Sequence, residues 1–208
     1  MCPRKPYHHG QLRQVLLETA IQLIGEVGPS GFTLREVARR AGVSHNAPYR
    51  HFADGEELLA AVAVEGFQEL TQAMTRAAKR QPDALSRLKC AGLAYVEFAL
   101  HRPEHFAVMF EAPVSKGGLL KRFPHHKTPN SAEAAKQAFE KLVSLVKSCQ
   151  DAGRLPSGDS LLFALLAWTM VHGVAKLATT KRLPFDSKTD ILKFAKFVID
   201  ESLPVLTA

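Results

Sequence analysis

The 208-residue sequence predicts an all-α protein of about nine helices. Apolar residues recur at three- and four-residue steps along most of the chain, the period of one helix face. No alternation of apolar and polar residues runs long enough for a strand. Gly- and Pro-containing breaks cut the periodic stretches into helix-length pieces. Hydrophobic residues make up 46% and charged residues 23%, an ordinary composition for a folded chain, and the length allows one sizeable core.

The first helix carries Leu12, Val15, Leu16, Thr19, Leu23 and Val27 on one face and stops at Gly28-Pro29-Ser30-Gly31. Thr33 is a good N-cap for the short helix LREVARR, and Glu36 completes a capping-box pattern. Ala41-Gly42-Val43 breaks that helix. Ser44 then reads as the N-cap of HNAPYRHF, with Pro48 in its first turn, where a missing N–H costs least. Asp54 caps a long helix that ends before Gln81-Pro82. Helices follow over 83–102 and over PEHFAVMFE from Pro103. A loop is expected at 113–130, then helices at about 131–152, 159–181 and 188–203.

The balance of 27 basic to 20 acidic residues gives +7 and a pI near 9.5, which favours a polyanionic partner without naming one. Cys2, Cys90 and Cys149 are odd in number and far apart, so no disulfide framework or zinc ribbon can be built from them. A reducing cytoplasm is the natural reading. The N-terminus lacks the apolar region of a signal peptide. The most apolar stretch, Leu161 to Val171, is about half the ~20 residues that span a bilayer, so no membrane role is expected. No GxSxG, P-loop, GxGxxG or HExxH pattern occurs, which argues against an enzyme and calls for no cofactor.

Residues 33–52, TLREVARRAGVSHNAPYRHF, have the pattern of a helix-turn-helix: a short support helix, a tight turn with Gly, and a second helix that begins with polar residues. Together with the flanking GQLRQVLLETAIQLIGEVGPSGF and ADGEELLAAV, and the ending Tyr49-Arg50-His51-Phe52, roughly residues 9–65 resemble the DNA-binding segment of the TetR family of bacterial transcription regulators. In the C-terminal half, Trp168, His172 and Gly173 in AWTMVHGVAKL, with RPEHFAVMF at 102–110, resemble the Trp-His-Gly type of TetR effector domain.

The resemblance implies three regions: an N-terminal three-helix DNA-binding domain at 1–53, a connecting helix at 54–80, and a helical effector-binding and dimerisation domain at 81–208. It implies a cytoplasmic homodimer on bacterial nucleoid DNA, with a palindromic double-stranded operator and a small-molecule effector that releases it. Each subunit would lay residues 45–51 in a major groove. By the same resemblance, Thr33, Tyr49 and His51 would touch phosphate, while His45, Asn46 and Ala47 would face base edges and Ser44 would open that helix. Asn46 can pair bidentately with adenine and Ala47 can sit against a thymine methyl. Arg35 and Arg50 are further phosphate partners. One position departs from the family pattern: Gly55 stands where Lys is common, which removes a phosphate contact unless the helix-start N–H groups serve instead. That departure keeps an alternative open, a helical ligand-binding or interaction module with impaired DNA binding.

Tyr95, Phe98, Phe106, Met109, Phe110, Trp168 and His172 are candidates for an effector pocket, with ordinary core as the alternative. Apolar residues on more than one side of the last two helices make Leu161, Leu165, Ile191, Phe194 and Val198 candidates for a dimer interface, with a deep core helix as the alternative. The pairs His8-His9 and His125-His126 lack further ligands at metal spacing, and Pro103 separates His101 from His105, so no metal is expected.

Overall fold

The computed structural model describes residues 9–111 and 129–205, with side chains over 12–110 and 130–202. Among the described residues there are eight α-helices, one 3-10 turn and no strand. The helices are α1 (His9–Val27), α2 (Leu34–Arg40), α3 (Gly55–Lys79), α4 (Ala84–His101), α5 (Pro103–Glu111), α6 (Pro129–Asp151), α7 (Ser160–Thr179) and α8 (Lys188–Val205); the 3-10 turn is Pro48–Arg50. The loop expected over 113–130 lies outside the described residues up to 128, and α6 already begins at Pro129.

The chain packs as two compact units. Of the described residues, the first holds 9–65, 104–111 and 129–132, and the second 66–103 and 133–205. The boundary between the units falls inside α3, between Glu65 and Gly66. α3 contributes Leu58, Val62 and Ala63 to the first unit and Phe67, Leu70 and Met74 to the second, all buried.

In the first unit α1 buries Leu12, Leu16, Ala20, Leu23 and Ile24, a stripe at helical spacing. Val27, expected on that face, is exposed at the helix end. The chain leaves α1 through Gly28 at φ 72°, whose N–H donates to Ile24 O at 2.8 Å. A left-handed residue is needed there, and Gly takes it without a Cβ penalty. α5 joins this unit through its own side chains. Phe106, Val108 and Met109 are buried, Glu104 lies over Gly25 of α1, and His105 Nε2 stands 3.8 Å from Glu65 Oε1 of α3.

In the second unit α4 is the central helix. Its buried residues, Leu88, Ala91, Tyr95, Val96, Phe98 and Ala99 among them, point to several sides. Asp83 caps it by accepting from the Ser86 N–H at 2.9 Å. Gly92 admits α7 and α8: a Cβ there would sit 3.3 Å from Val171 Cγ1 and 3.4 Å from Ile199 Cδ1. Lys89 of α4 donates to Asp200 of α8 at 2.7 Å.

α7 turns small residues inward, Ala164, Ala175 and Ala178 with Val171 and Val174, and leaves Leu161, Leu162, Leu166 and Leu177 exposed. The apolar run expected to be about half a bilayer span belongs to a longer helix. All twenty residues of Ser160–Thr179 form one helix, long and apolar enough to cross a membrane by length and composition. It ends on Lys181 at φ 55°, with Arg182 N–H donating to Leu177 O and Lys181 N–H to Ala178 O.

Candidate functional site

The helix-turn-helix segment is held by two buried anchors, Pro48 and Phe52, and by a glycine turn. Gly42 stands at φ 68°, its N–H donating to Arg39 O, while Val43 N–H reaches back to Ala38 O at 3.0 Å. That pair of bonds closes α2 and reverses the chain. Thr33 caps the other end, accepting from the Glu36 N–H at 3.2 Å. The Glu36 carboxylate does not close the expected capping box. It accepts from Arg39 at 2.7 and 2.8 Å and from Arg40 at 2.9 Å. Arg40 also reaches Glu26 of α1 at 2.6 Å. Hydrogen bonds from Arg39 and then Arg40 hold the Glu36 carboxyl down to about 2.

The expected third helix at 45–51 is not an α-helix. Ala47 N–H bonds Ser44 O at 2.9 Å, Arg50 N–H bonds Ala47 O, and His51 N–H bonds Pro48 O, all with three-residue spacing. Only Pro48–Arg50 forms a regular turn, and it is 3-10. Pro48 explains this, because it has no N–H to give Ser44 O and the chain tightens to use Ala47 instead. Ser44 is consequently not a side-chain cap: Ala47 holds the capping position, without a side-chain hydrogen bond.

The turn and the start of α2 still present polar side chains. Thr33, Arg35, Ser44, His45, Asn46, Tyr49 and Arg50 are exposed, Tyr49 by 54%, and Ala47 is half-buried. His51 is half-buried, with its Nε2 turned inward and without a hydrogen-bond partner among the described residues. Arg39 and Arg40 are engaged with carboxylates, and the Arg13 guanidinium lies 5.3 Å from the centre of the Phe52 ring. Arg35 and Arg50 enter no ion pair among the described residues, so they are the cations left to face a polyanion. Gly55 has a local reason: a Cβ there would lie 3.1 Å from Phe32 Cε1. Phe32 was missed in the sequence because nothing local shows which residue its ring covers. Asp54, Glu56 and Glu57 crowd the same helix start, and three carboxylates oppose a phosphate at its N–H groups.

With this geometry stand the likenesses to known proteins. Residues 16–62 match the family described as bacterial regulatory proteins, tetR family, and residues 88–201 match the tetracycline repressor-like C-terminal domain. The chain belongs to the TetR family. A solved structure of a protein with unknown function from Rhodococcus sp. RHA1 is 34% identical over 99% of this chain and 100% of that one, with a TM-score of 0.80. A tetR-family regulatory protein from Rhodococcus RHA1 shares the fold at 19% identity and TM-score 0.72, over 97% of this chain and 99% of that one. The regulator FadR from Bacillus subtilis, solved in complex with stearoyl-CoA, shares it at 17% identity and TM-score 0.72, over 94% and 97%.

In the second unit of this TetR family regulator, three of the pocket candidates meet. Trp168 Nε1–H donates to Tyr95 Oη at 3.1 Å, and Tyr95 Oη lies 2.8 Å from His172 Nδ1. Phe139 of α6 sets its ring edge-on to Trp168 at 6.1 Å. Burial pushes the Tyr95 phenol up, and burial followed by the nearby Lys176 charge pulls the His172 imidazole down. Phe98 is buried on α4 in the same unit. Phe106, Met109 and Phe110 are on α5 in the first unit, where the rings of Phe106 and Phe110 lie 4.9 Å apart. Phe139 and Lys176 were not singled out in the sequence. The i, i+4, i+8 spacing of Trp168, His172 and Lys176 was the available signal for Lys176, whereas nothing local pointed to Phe139.

Of the interface candidates, Leu161 is exposed and Leu165, Phe194 and Val198 are half-buried, while Ile191 is spent in the interior of its own unit. The Phe194 ring lies tilted against Phe185, their centres 5.5 Å apart. The most exposed large apolar side chains on α7 and α8 are Leu162 at 62% and Phe197 at 60%. Among the described residues no group of three or more His, Cys, Asp or Glu could hold a metal ion. His125 and His126 lie outside them.

Proposed function

We propose that the protein is a homodimeric transcriptional repressor that binds a palindromic operator and leaves it when a small molecule enters its second unit. The reading rests above all on the exposed set Ser44, His45, Asn46, Tyr49 and Arg50, held outward by the buried Pro48 and Phe52. In it, His45, Asn46 and Ala47 face base edges, and Thr33, Arg35, Tyr49, Arg50 and His51 lie at the phosphates, His51 through the ring atoms other than Nε2. Two half-sites about 34–36 Å apart would seat the two subunits on one face of the duplex. Such a protein works in the bacterial cytoplasm, on the nucleoid.

Dimerisation is supported by the outward stripe of α7. Leu162, Leu166, Thr169, Gly173 and Leu177 share one helix face, Phe197 is exposed on α8, and the space over the Gly173 Cα is open. A second copy crossing there would bury leucines that water otherwise covers, at roughly 25 cal/mol per Å² of apolar area. The small molecule is assigned to the Tyr95, Trp168 and His172 cluster, and its effect on operator affinity must be reciprocated by the operator's effect on its own binding.

Sequencing the DNA that the purified protein retains from a genomic pool tests this reading. An enriched inverted repeat is expected, and no enrichment would overturn it. Leu166→Glu should convert the dimer to monomer in sedimentation and abolish retention. A second reading, a ligand-binding module with impaired DNA binding, is favoured by Gly55 and the acidic start of α3; it predicts no enriched sequence together with an intact dimer.

A further inference from the structure

Arg13 stands at the edge of the buried stripe of α1. Leu12, Leu16 and Leu17 beside it are buried, whereas Arg13 is exposed. Its guanidinium lies over the ring of Phe52, 5.3 Å from the ring centre, within reach of a cation–π contact. Phe52 is itself buried, and its N–H donates to Pro48 O at 3.0 Å, which closes the 3-10 turn. One ring thus joins α1 to the end of the segment that presents Tyr49 and Arg50.

An aromatic ring has a quadrupole and no net charge, so this contact orients Arg13 without neutralising it. The two carboxylates of α1 are engaged elsewhere, Glu18 by Gln14 at 3.1 Å and Glu26 by Arg40 at 2.6 Å. Among the described residues the Arg13 guanidinium enters no ion pair and donates no hydrogen bond. To Arg35 and Arg50 it therefore adds a third cation able to face a polyanion. A guanidinium holds its donors in one rigid plane, matched to the oxygens of a phosphate. A long side chain ordinarily loses rotamer freedom when it is captured. The Phe52 contact restricts Arg13 before any DNA arrives, so less remains to be lost.

We infer that Arg13 is a phosphate clamp on operator DNA, held ready for it by the Phe52 ring. The inference rests on the DNA-binding reading above and adds a contact from α1 to those of α2 and the turn. The ligand is a backbone phosphate rather than a base edge. The residues assigned to base edges, 45–47, precede the 3-10 turn, and Arg13 lies at the other end of it, over Phe52. Such a contact fixes position and is made alike on every sequence. Phe52 is a positioning residue, acting through Arg13.

The full chain is titrated, over a range of salt, into the operator enriched from the genomic pool and into a duplex of equal length and unrelated sequence. Arg13→Gln should weaken binding to both by a similar factor, about ten-fold per half-site, the scale of one charge-assisted hydrogen bond. It should also lower the slope of log K against log salt by about one per subunit. Arg13→Lys should keep the slope and recover part of the affinity, because an ammonium supplies the charge without the planar fork. Phe52→Leu should weaken binding in the wild-type background and have little further effect beside Arg13→Gln, whereas a merely structural role would weaken both alike. Urea midpoints check that each variant folds, and the two Arg13 variants decide the question if Phe52→Leu does not. An unchanged salt slope in Arg13→Gln overturns the clamp, while the DNA-binding reading survives if Arg50→Ala lowers it. A loss confined to the operator would make Arg13 a reader of sequence and also overturns the clamp. If the wild-type chain binds neither duplex, the DNA-binding reading falls and the clamp with it.

Discussion

The ring of Phe32 covers the Cα of Gly55, leaving 3.1 Å between Phe32 Cε1 and the place a Cβ would occupy. The residue that departs from the family pattern is thus matched by an aromatic ring packed where its side chain would begin. Gly55→Lys alone should destabilise, because Phe32 must shift. Gly55→Lys with Phe32→Leu should recover stability and bind operator more tightly, with the slope of log K against log salt steeper by about one. An unchanged slope would show that position 55 does not approach a phosphate.

Asn46 precedes the 3-10 turn and Arg50 ends it, both exposed, yet different losses are expected. Asn46→Ala should relax preference at one base position, costing about 1–3 kcal/mol on the preferred sequence and little on others. Arg50→Ala should weaken binding to every sequence and lower the salt slope by about one. Equal loss across sequences for Asn46→Ala would remove its base-reading role.

Two groups make stability depend on pH in separate windows. The folded pKa of His172 is depressed by burial and Lys176. The unfolded chain therefore binds the extra proton first, and stability falls as pH drops through 6.5, levelling off below the folded value. Glu36 is held at about 2 by Arg39 and Arg40. Its contribution is present above 4.5 and is lost as pH falls toward about 2. Urea midpoints measured against pH should lose the upper limb in His172→Gln and the lower one in Glu36→Gln.

Lys181 closes α7 in the left-handed region at φ 55°, where a Cβ is strained. Lys181→Gly should stabilise the protein by about 0.5–1 kcal/mol, the strain relieved less the extra freedom of the unfolded chain. A lower midpoint in denaturant would contradict that account.

Much of this was legible locally. Helix positions follow from the spacing of apolar residues, and the caps Thr33 and Asp54 follow from short side chains that reach the first free N–H groups. The 3-10 turn was legible in principle as well, since Pro48 lacks the N–H a full helix would need, although its position near a polar start reads equally as a helix's first turn. The exposed polar residues Ser44, His45, Asn46, Tyr49 and Arg50 were legible because they lie close together in the sequence.

What required the folded chain was every choice among apolar residues. The sequence by itself determined that α5 and α7 are helices with apolar faces. Only the tertiary structure decided that α5 buries Phe106 and Met109 in the first unit, while Tyr95 and Phe98 are buried in the second. Only it decided that α7 faces inward with its alanines and outward with Leu162 and Leu166, and that Ile191 is spent in its own interior while Phe197 is left exposed. The physical reason is that periodicity states which residues share a face, whereas burial of apolar area is indifferent to which surface covers it. The covering surface is set by close approach, as at Gly92, where α7 and α8 close on α4 because no Cβ stands in the way.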